Sequence, residues 1–191
     1  NYYTFDAERY QMTDDMQRLR DIAANAPYDL IYIISNSQKY GGGAIYNWYG
    51  ISAAHIVSRP ASTRKTYAHE FGHLLLGLGD EYVGGADTAM YSPDVEPWEK
   101  NLTALIDGKC KWSDMIDKKT PIPTPTPKGY AREQEHEMSE WRLGAYEGGG
   151  YIEEGIYRPM PNCMMNWMHT QDLFCPVCDK AIREYIGFLT K

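Results

Sequence analysis

The stretch from His69 to Tyr82, H-E-F-G-H-L-L-L-G-L-G-D-E-Y, restricts the fold more than any other part of the chain. Residues four apart share one face of a helix, so His69 and His73 present two imidazoles one turn apart. Phe71, Leu74, Leu75 and Leu78 make the remaining faces apolar, which calls for a helix buried on most sides. Ser62 or Thr63 is a suitable N-cap, the helix is expected from about Arg64 to Leu76, and Gly77 is the residue to end it.

Two imidazoles in this register can aim a nitrogen each at one zinc ion. Glu70, next to the first, can reach a water on that metal without being a ligand. Zinc would lower the pKa of that water to about 7 and polarise the carbonyl under attack. Glu70 would take the water's proton and pass it to the leaving amine. The bland alternative is a helix that happens to carry two histidines. A chance H-E-x-x-H in a chain this long is rare, on the order of one in a hundred, and a buried, uncoordinated His-Glu-His cluster would be costly.

A third ligand requires the chain to turn back. Gly77 accepts a left-handed conformation without strain, and Gly77-Leu-Gly-Asp80 then brings a carboxylate round after the bend. Asp80 is the favoured ligand and Glu81 its rival. The pattern resembles the metzincin arrangement H-E-x-x-H-x-x-G-x-x-H, with one residue inserted before the glycine and aspartate in place of the last histidine. That resemblance implies a methionine turn beneath the metal, for which Cys163-Met164-Met165-Asn166 stands at the right place in the chain. Methionines that merely fill a core are the plain alternative. Some metzincins have a tyrosine two residues past the methionine that assists the oxyanion; here Asn166 and Trp167 occupy those positions. Tyr157 or Arg158 could take that role or contact substrate.

Elsewhere, Asp6 to Ala24 carries apolar side chains at helical spacing and predicts an amphipathic helix ending before Pro27. Leu30 to Ile34 is a β-branched run that predicts a buried strand. Gly41-Gly-Gly43 predicts a turn or loop, Ala44 to Tyr49 a strand exposed on one side, and the short apolar stretch Ile51 to Val57 a second strand. Gly43 to Tyr49 could be a sheet edge to which an extended substrate adds, or an ordinary tyrosine-rich surface strand. Asp80 to Pro97 reads as loop, and Thr120 to Pro127 as an extended surface loop. Glu133 to Arg142 predicts a short helix, Gly148 to Gly150 a turn, and Pro176 to about Leu189 a final helix. His55, His136 and His169 lack ligand spacing. Cys175-Pro-Val-Cys178 could be a redox pair or half a zinc knuckle, and a structural disulfide arrangement is the favoured reading.

The composition excludes several classes of function. A net charge of −7 disfavours nucleic acid and anionic membranes as partners. No apolar run approaches the roughly 20 residues of a membrane span, and Asn1 to Arg20 is polar and acidic rather than signal-like. The aromatics are 16 tyrosines and 5 tryptophans against 4 phenylalanines, a usage that suits a wide, half-wet cleft. A chain of 191 residues is expected to form one domain.

Several segments together resemble the family of the clostridial IgA-specific metallopeptidase. They are His69 to His73 with Gly77 to Tyr82, Lys111-Trp112, Tyr146-Glu-Gly148, Gly155 to Pro159, Cys163-Met-Met165 and Phe174 to Cys178, in order from Tyr28 onward. The resemblance implies a secreted or envelope-attached bacterial zinc endopeptidase acting on a protein or peptide substrate. It implies His69, His73 and Asp80 as ligands of Zn2+, Glu70 as base, and Met164 or Met165 in the turn. The expected fold is α/β (α+β) and zincin- or metzincin-like. A twisted mixed sheet would have backing helices, and an irregular lower subdomain would end in a C-terminal helix. Residues 1–191 are expected to be a single catalytic domain, one that lacks N-terminal strands the family has ahead of Tyr28. Cleavage of IgA itself is not implied by these motifs. The competing expectation is a non-catalytic zincin-fold module that binds glycoprotein at a bacterial surface, and a third is a zinc amidase acting on a non-protein amide.

Overall fold

A computed structural model describes residues 2–6, 8–53, 60–84, 91–130, 141–166 and 173–191. His55, His136, His169, Trp167, the expected helix at 133–140 and the strand expected beyond residue 53 lie outside them. The chain divides into two compact units, Asn1–Gly77 and Leu78–Lys191.

In the first unit, helix α1 (Met16–Ala23) precedes strands β1 (Ile31–Ser35), β2 (Gly42–Ile45) and β3 (Tyr49–Ala53), and helix α2 (Pro60–Leu76) follows. The sheet order is β1-β3-β2, with β1 parallel to β3 and β2 antiparallel to it. This is the mixed sheet expected. Tyr49, Ile51 and Met12 form its buried cluster, against which Met16 and Leu19 of α1 and Ile31 and Ile33 of β1 pack.

The first unit departs from the sequence expectations in several places. The helix predicted from Asp6 forms only from Met16, with the Asp15 carboxylate accepting the Arg18 amide as its cap at 3.1 Å. The residues ahead of it run along β2 instead: the Gln11 amide donates to the Gly42 carbonyl, and the Gly42 amide to Arg9. That pairing is a tertiary bond, and helical spacing carries no trace of it. Glycines 42 and 43 lie within a strand rather than a turn, because neighbours crowd their Cα atoms. A Cβ on Gly43 would meet Met12 Sδ at 2.6 Å. The turn comes later, at Tyr46-Asn47-Trp48, with Asn47 at φ 55°. Finally, β1 is partly exposed rather than buried, with Ile34 61% accessible, as befits its place at the end of the strand order.

Helix α2 begins at Pro60, so Ser62 and Thr63 lie inside it rather than capping it; proline is well suited to a first helical turn. Its end agrees with the sequence: Gly77 takes φ 59°, and its amide bonds the His73 carbonyl at 3.0 Å. Phe71 is more exposed than a helix buried on most sides requires.

The second unit contains a hairpin that the sequence reading missed. Strands β4 (Tyr146–Gly149) and β5 (Ile152–Arg158) pair antiparallel with a bulge between Glu147 and Gly149. Helix α3 (Pro176–Leu189) falls at the predicted bounds. Leu102, Ile156, Met165, Trp112 and Val177 are buried. The proline-rich stretch is not wholly a surface loop: Thr124 is buried, and its amide bonds the Ala145 carbonyl beside β4 at 2.7 Å. Among the described residues, no helix is long and apolar enough to cross a membrane.

Candidate functional site

The register of α2 brings the two imidazoles together. The Nε2 atoms of His69 and His73 are 3.1 Å apart, with the rings nearly perpendicular at 87°. Two nitrogens on one tetrahedral metal would stand about 3.3 Å apart, so the pair fits a shared ion. His69 is buried and His73 half-buried.

Glu70 faces the sheet at Gly42. A Cβ built on that glycine would lie 3.0 Å from Glu70 Oε1 and 3.2 Å from the Ile51 carbonyl oxygen. The strand is bare at Gly42, and the space left by the missing side chain lets the carboxylate lie close to the backbone. Tyr32 of β1 stacks edge-on against Tyr67 of α2 at 5.8 Å and shares a hydrogen bond with Ser52. Burial raises its phenol pKa, and the nearby charge of Glu70 adds to the rise.

Asp80 opens the second unit and is 5% exposed. Its Oδ2 accepts the hydroxyl of Tyr151, which sits at the tip of the β4–β5 hairpin. Its carbonyl accepts the Gly150 amide at 2.8 Å, and the Tyr82 carbonyl accepts the Tyr151 amide at 3.0 Å. Asn101, fully buried, clamps the residue before: Oδ1 accepts the Gly79 amide, while Nδ2 donates to the Gly79 carbonyl and to Glu81 Oε1. Neither Tyr151 nor Asn101 was singled out from the sequence. Tyr151 follows a triple glycine and could have been suspected on that ground; Asn101 left no signal.

Cys163 to Asn166 does form a turn, closed by the Asn166 amide on the Cys163 carbonyl at 2.9 Å. Met164 and Met165 are both buried. The Met165 carbonyl accepts the Glu81 amide at 2.8 Å, which ties the methionine turn to the residue after Asp80. Glu81 has no solvent exposure, and burial pushes its carboxyl well above the usual range. Its Oε1 lies 3.4 Å from Cys178 Sγ, so the rival ligand is engaged among the cysteines.

Arg158 is buried, and its guanidinium donates to the carbonyls of Glu147 and Gly148 within the hairpin. Tyr157 is half-buried and its hydroxyl bonds Glu147 Oε1 at 3.3 Å. Of Gly43 to Tyr49, considered as an edge for substrate, Gly43 to Ile45 lie in β2 and Tyr46 to Trp48 form the turn to β3, while the neighbouring Gly42 is paired with Arg9 and Gln11. The Lys111-Trp112 pair supports the second unit: Trp112 Nε1 donates to the Gly144 carbonyl at 2.6 Å, and Lys111 Nζ to the carbonyls of Pro97 and Glu99. All four cysteines are free thiols rather than the disulfide arrangement expected.

The family described as IgA peptidase M64 matches the chain over residues 1–143 and 135–186. The chain belongs to that family. The M64 match agrees with the resemblance read from the motifs, and it makes the chain a member of a metallopeptidase family with a protein substrate and a metal cofactor. No curated protein matches it. In this M64 chain the paired imidazoles of α2 supply nitrogen donors of the kind such a cofactor needs.

Proposed function

We propose that this chain is a zinc endopeptidase of zincin or metzincin type, acting on a protein outside the bacterial cytoplasm. The observation that carries the reading is the His69–His73 pair, with Nε2 atoms 3.1 Å apart on one face of α2 and Glu70 between them in sequence. His69 and His73 would hold the ion, and Asp80 would complete the set. Asp80 stands three residues past the left-handed Gly77, so its Cα lies within about 11 Å of that bend. Its carboxylate is oriented by Tyr151 in the manner of a supported metal ligand.

When bound, zinc polarises the scissile carbonyl and acidifies a water. Glu70 would be the residue that accepts a proton from the attacking water and hands it to the leaving nitrogen. Gly42, lacking a Cβ, leaves room for the Glu70 carboxylate beside the strand. Met165 supports the segment that follows Asp80 through its backbone bond with Glu81, and Met164 is buried beside it in the same turn. Tyr157 remains the candidate for contact with the substrate.

The test is cleavage of a broad peptide library by the wild type and by Glu70→Ala, each loaded with zinc and then treated with a chelator. The expected result is hydrolysis that the chelator stops and that the variant lacks, with zinc content retained in the variant. Full activity in Glu70→Ala would sink the mechanism. Zinc binding with no hydrolysis in the wild type would instead identify a non-catalytic binding module.

A further inference from the structure

The second unit gathers a second set of donors that the proposed hydrolysis does not use. Cys163 precedes the methionine turn, Cys175 is the N-cap of α3, and Cys178 lies in its first turn. With Glu81 they form a group of four buried residues whose ligand atoms all lie within 4.8 Å of one another. All four lie between Leu78 and Lys191.

The spacings are those of a tetrahedral ion rather than of a covalent bond. Cys163 Sγ and Cys178 Sγ are 3.8 Å apart. Two thiolates at about 2.3 Å from one zinc stand about 3.8 Å apart, and a thiolate and a carboxylate oxygen about 3.5 Å. The observed separation of Cys178 Sγ from Glu81 Oε1 is 3.4 Å. Glu81 adds an independent pointer: its Oε2 is buried with no hydrogen-bond partner among the described residues, a cost that a bound cation would relieve. The surroundings suit anionic sulfur. Cys175 and Cys178 sit at the N-terminus of a 14-residue helix, where the backbone favours negative charge. The Cys175 amide donates to Cys163 Sγ at 3.2 Å, and Asn101 donates to Glu81 Oε1 at 2.9 Å.

We infer that Cys163, Cys175, Cys178 and Glu81 form a structural site for a thiophilic divalent cation, zinc by its donor set and geometry. Protons on the three thiols and on the Glu81 carboxyl pass to solvent as the ion binds, and the carboxylate supplies the fourth donor. All four positions are filled by protein, which marks a structural rather than a catalytic site. The ion joins three separate segments: the strand-like residues after Asp80, the methionine turn, and the start of α3. This inference is independent of the hydrolytic reading, since it needs neither histidine.

The experiment uses the whole chain, purified anaerobically, as wild type and as the double variant His69→Ala/His73→Ala. Loaded with zinc and freed of excess, the double variant should retain one ion per chain, and its thermal midpoint should fall when a chelator removes it. Loaded with cobalt(II), it should show near-ultraviolet thiolate-to-metal charge transfer, a signature that histidine and carboxylate ligands do not produce. In the wild type, denaturation without reductant should release four reactive thiols. A count of two would mean that a disulfide has taken two of the sulfurs, and would overturn the site. A double variant with no residual zinc and no charge-transfer band would overturn it equally. Loss of peptidase activity in that variant bears only on the other reading.

Discussion

The hydroxyl of Tyr151 donates to Oδ2 of Asp80 across 71 positions of sequence. To present it, Tyr151 adopts a left-handed φ of 71°, a conformation that costs a bulky residue on the order of 1–3 kcal/mol. The hairpin tip is held there by backbone bonds to the segment carrying Asp80: Gly150 to Asp80, Tyr151 to Tyr82, and Gly84 to Tyr151. The carboxylate therefore owes its orientation to a loop distant in sequence.

Tyr151→Phe removes that one hydroxyl and leaves the ring. If Asp80 is a ligand, affinity for the metal should fall about 10- to 100-fold, with little change in far-UV circular dichroism. Competition against a chromophoric chelator measures it, and an unchanged affinity would detach Asp80 from the metal.

Gly42→Ala places a methyl 3.0 Å from Glu70 Oε1 and 3.2 Å from the Ile51 carbonyl oxygen. The carboxylate must give way, because the backbone cannot. Relief needs a shift of a few tenths of an ångström, so turnover should drop by less than the roughly 100-fold that a misplacement of about 1 Å brings, while metal content stays at the wild-type level. Steady-state kinetics alongside metal analysis would expose the split.

Asn101→Leu leaves the buried amide and carbonyl of Gly79 without their partner and strips a donor from Glu81. Orphaned buried groups cost about 1–3 kcal/mol each, so a loss of about 2–5 kcal/mol is expected. Urea unfolding should show a lower midpoint with the same slope.

Gly77→Ala imposes a Cβ on a residue at φ 59°, a cost of about 1–2 kcal/mol. The chain can relieve it by lengthening α2 or shifting the bend, and either moves Asp80. Stability and metal affinity should therefore fall together, in contrast to Gly42→Ala, and a variant losing stability alone would argue that the bend does not serve the metal.

What could be read from the sequence was local. The spacing of His69 and His73 determines where two imidazoles stand on a helix, and a glycine after three leucines marks its end. Both follow from backbone geometry within one or two turns. The final helix was equally plain, with Pro176 at its start. The misreadings share another cause. The residues before Met16 have helical spacing but are drawn to Gly42 by pairing across the unit. Gly42 and Gly43 look like turn residues, yet they are small because Glu70 and Met12 press on them. The β4–β5 hairpin was missed because four glycines in Tyr146 to Arg158 masked its alternation. Asn101 and Tyr151 act through side-chain bonds formed only after the chain has folded, and no spacing announces them. Glu81 lies beside Cys178 across 97 positions of sequence, a contact that no local spacing announces.

Asp80 and Glu81 are neighbours on an extended segment, hydrogen-bonded to the hairpin through one and to the methionine turn through the other. Their carboxylates accordingly meet different company, Tyr151 for the first and Asn101 with Cys178 for the second. The dipeptide thus behaves like a reading frame. Inserting a single residue between Gly77 and Asp80 would put the aspartate in the place of Glu81, too short for the cysteines, and deleting one would put the glutamate in the place of Asp80, too long for the tyrosine. Substitutions in this stretch are expected to be survivable where a change of phase is not.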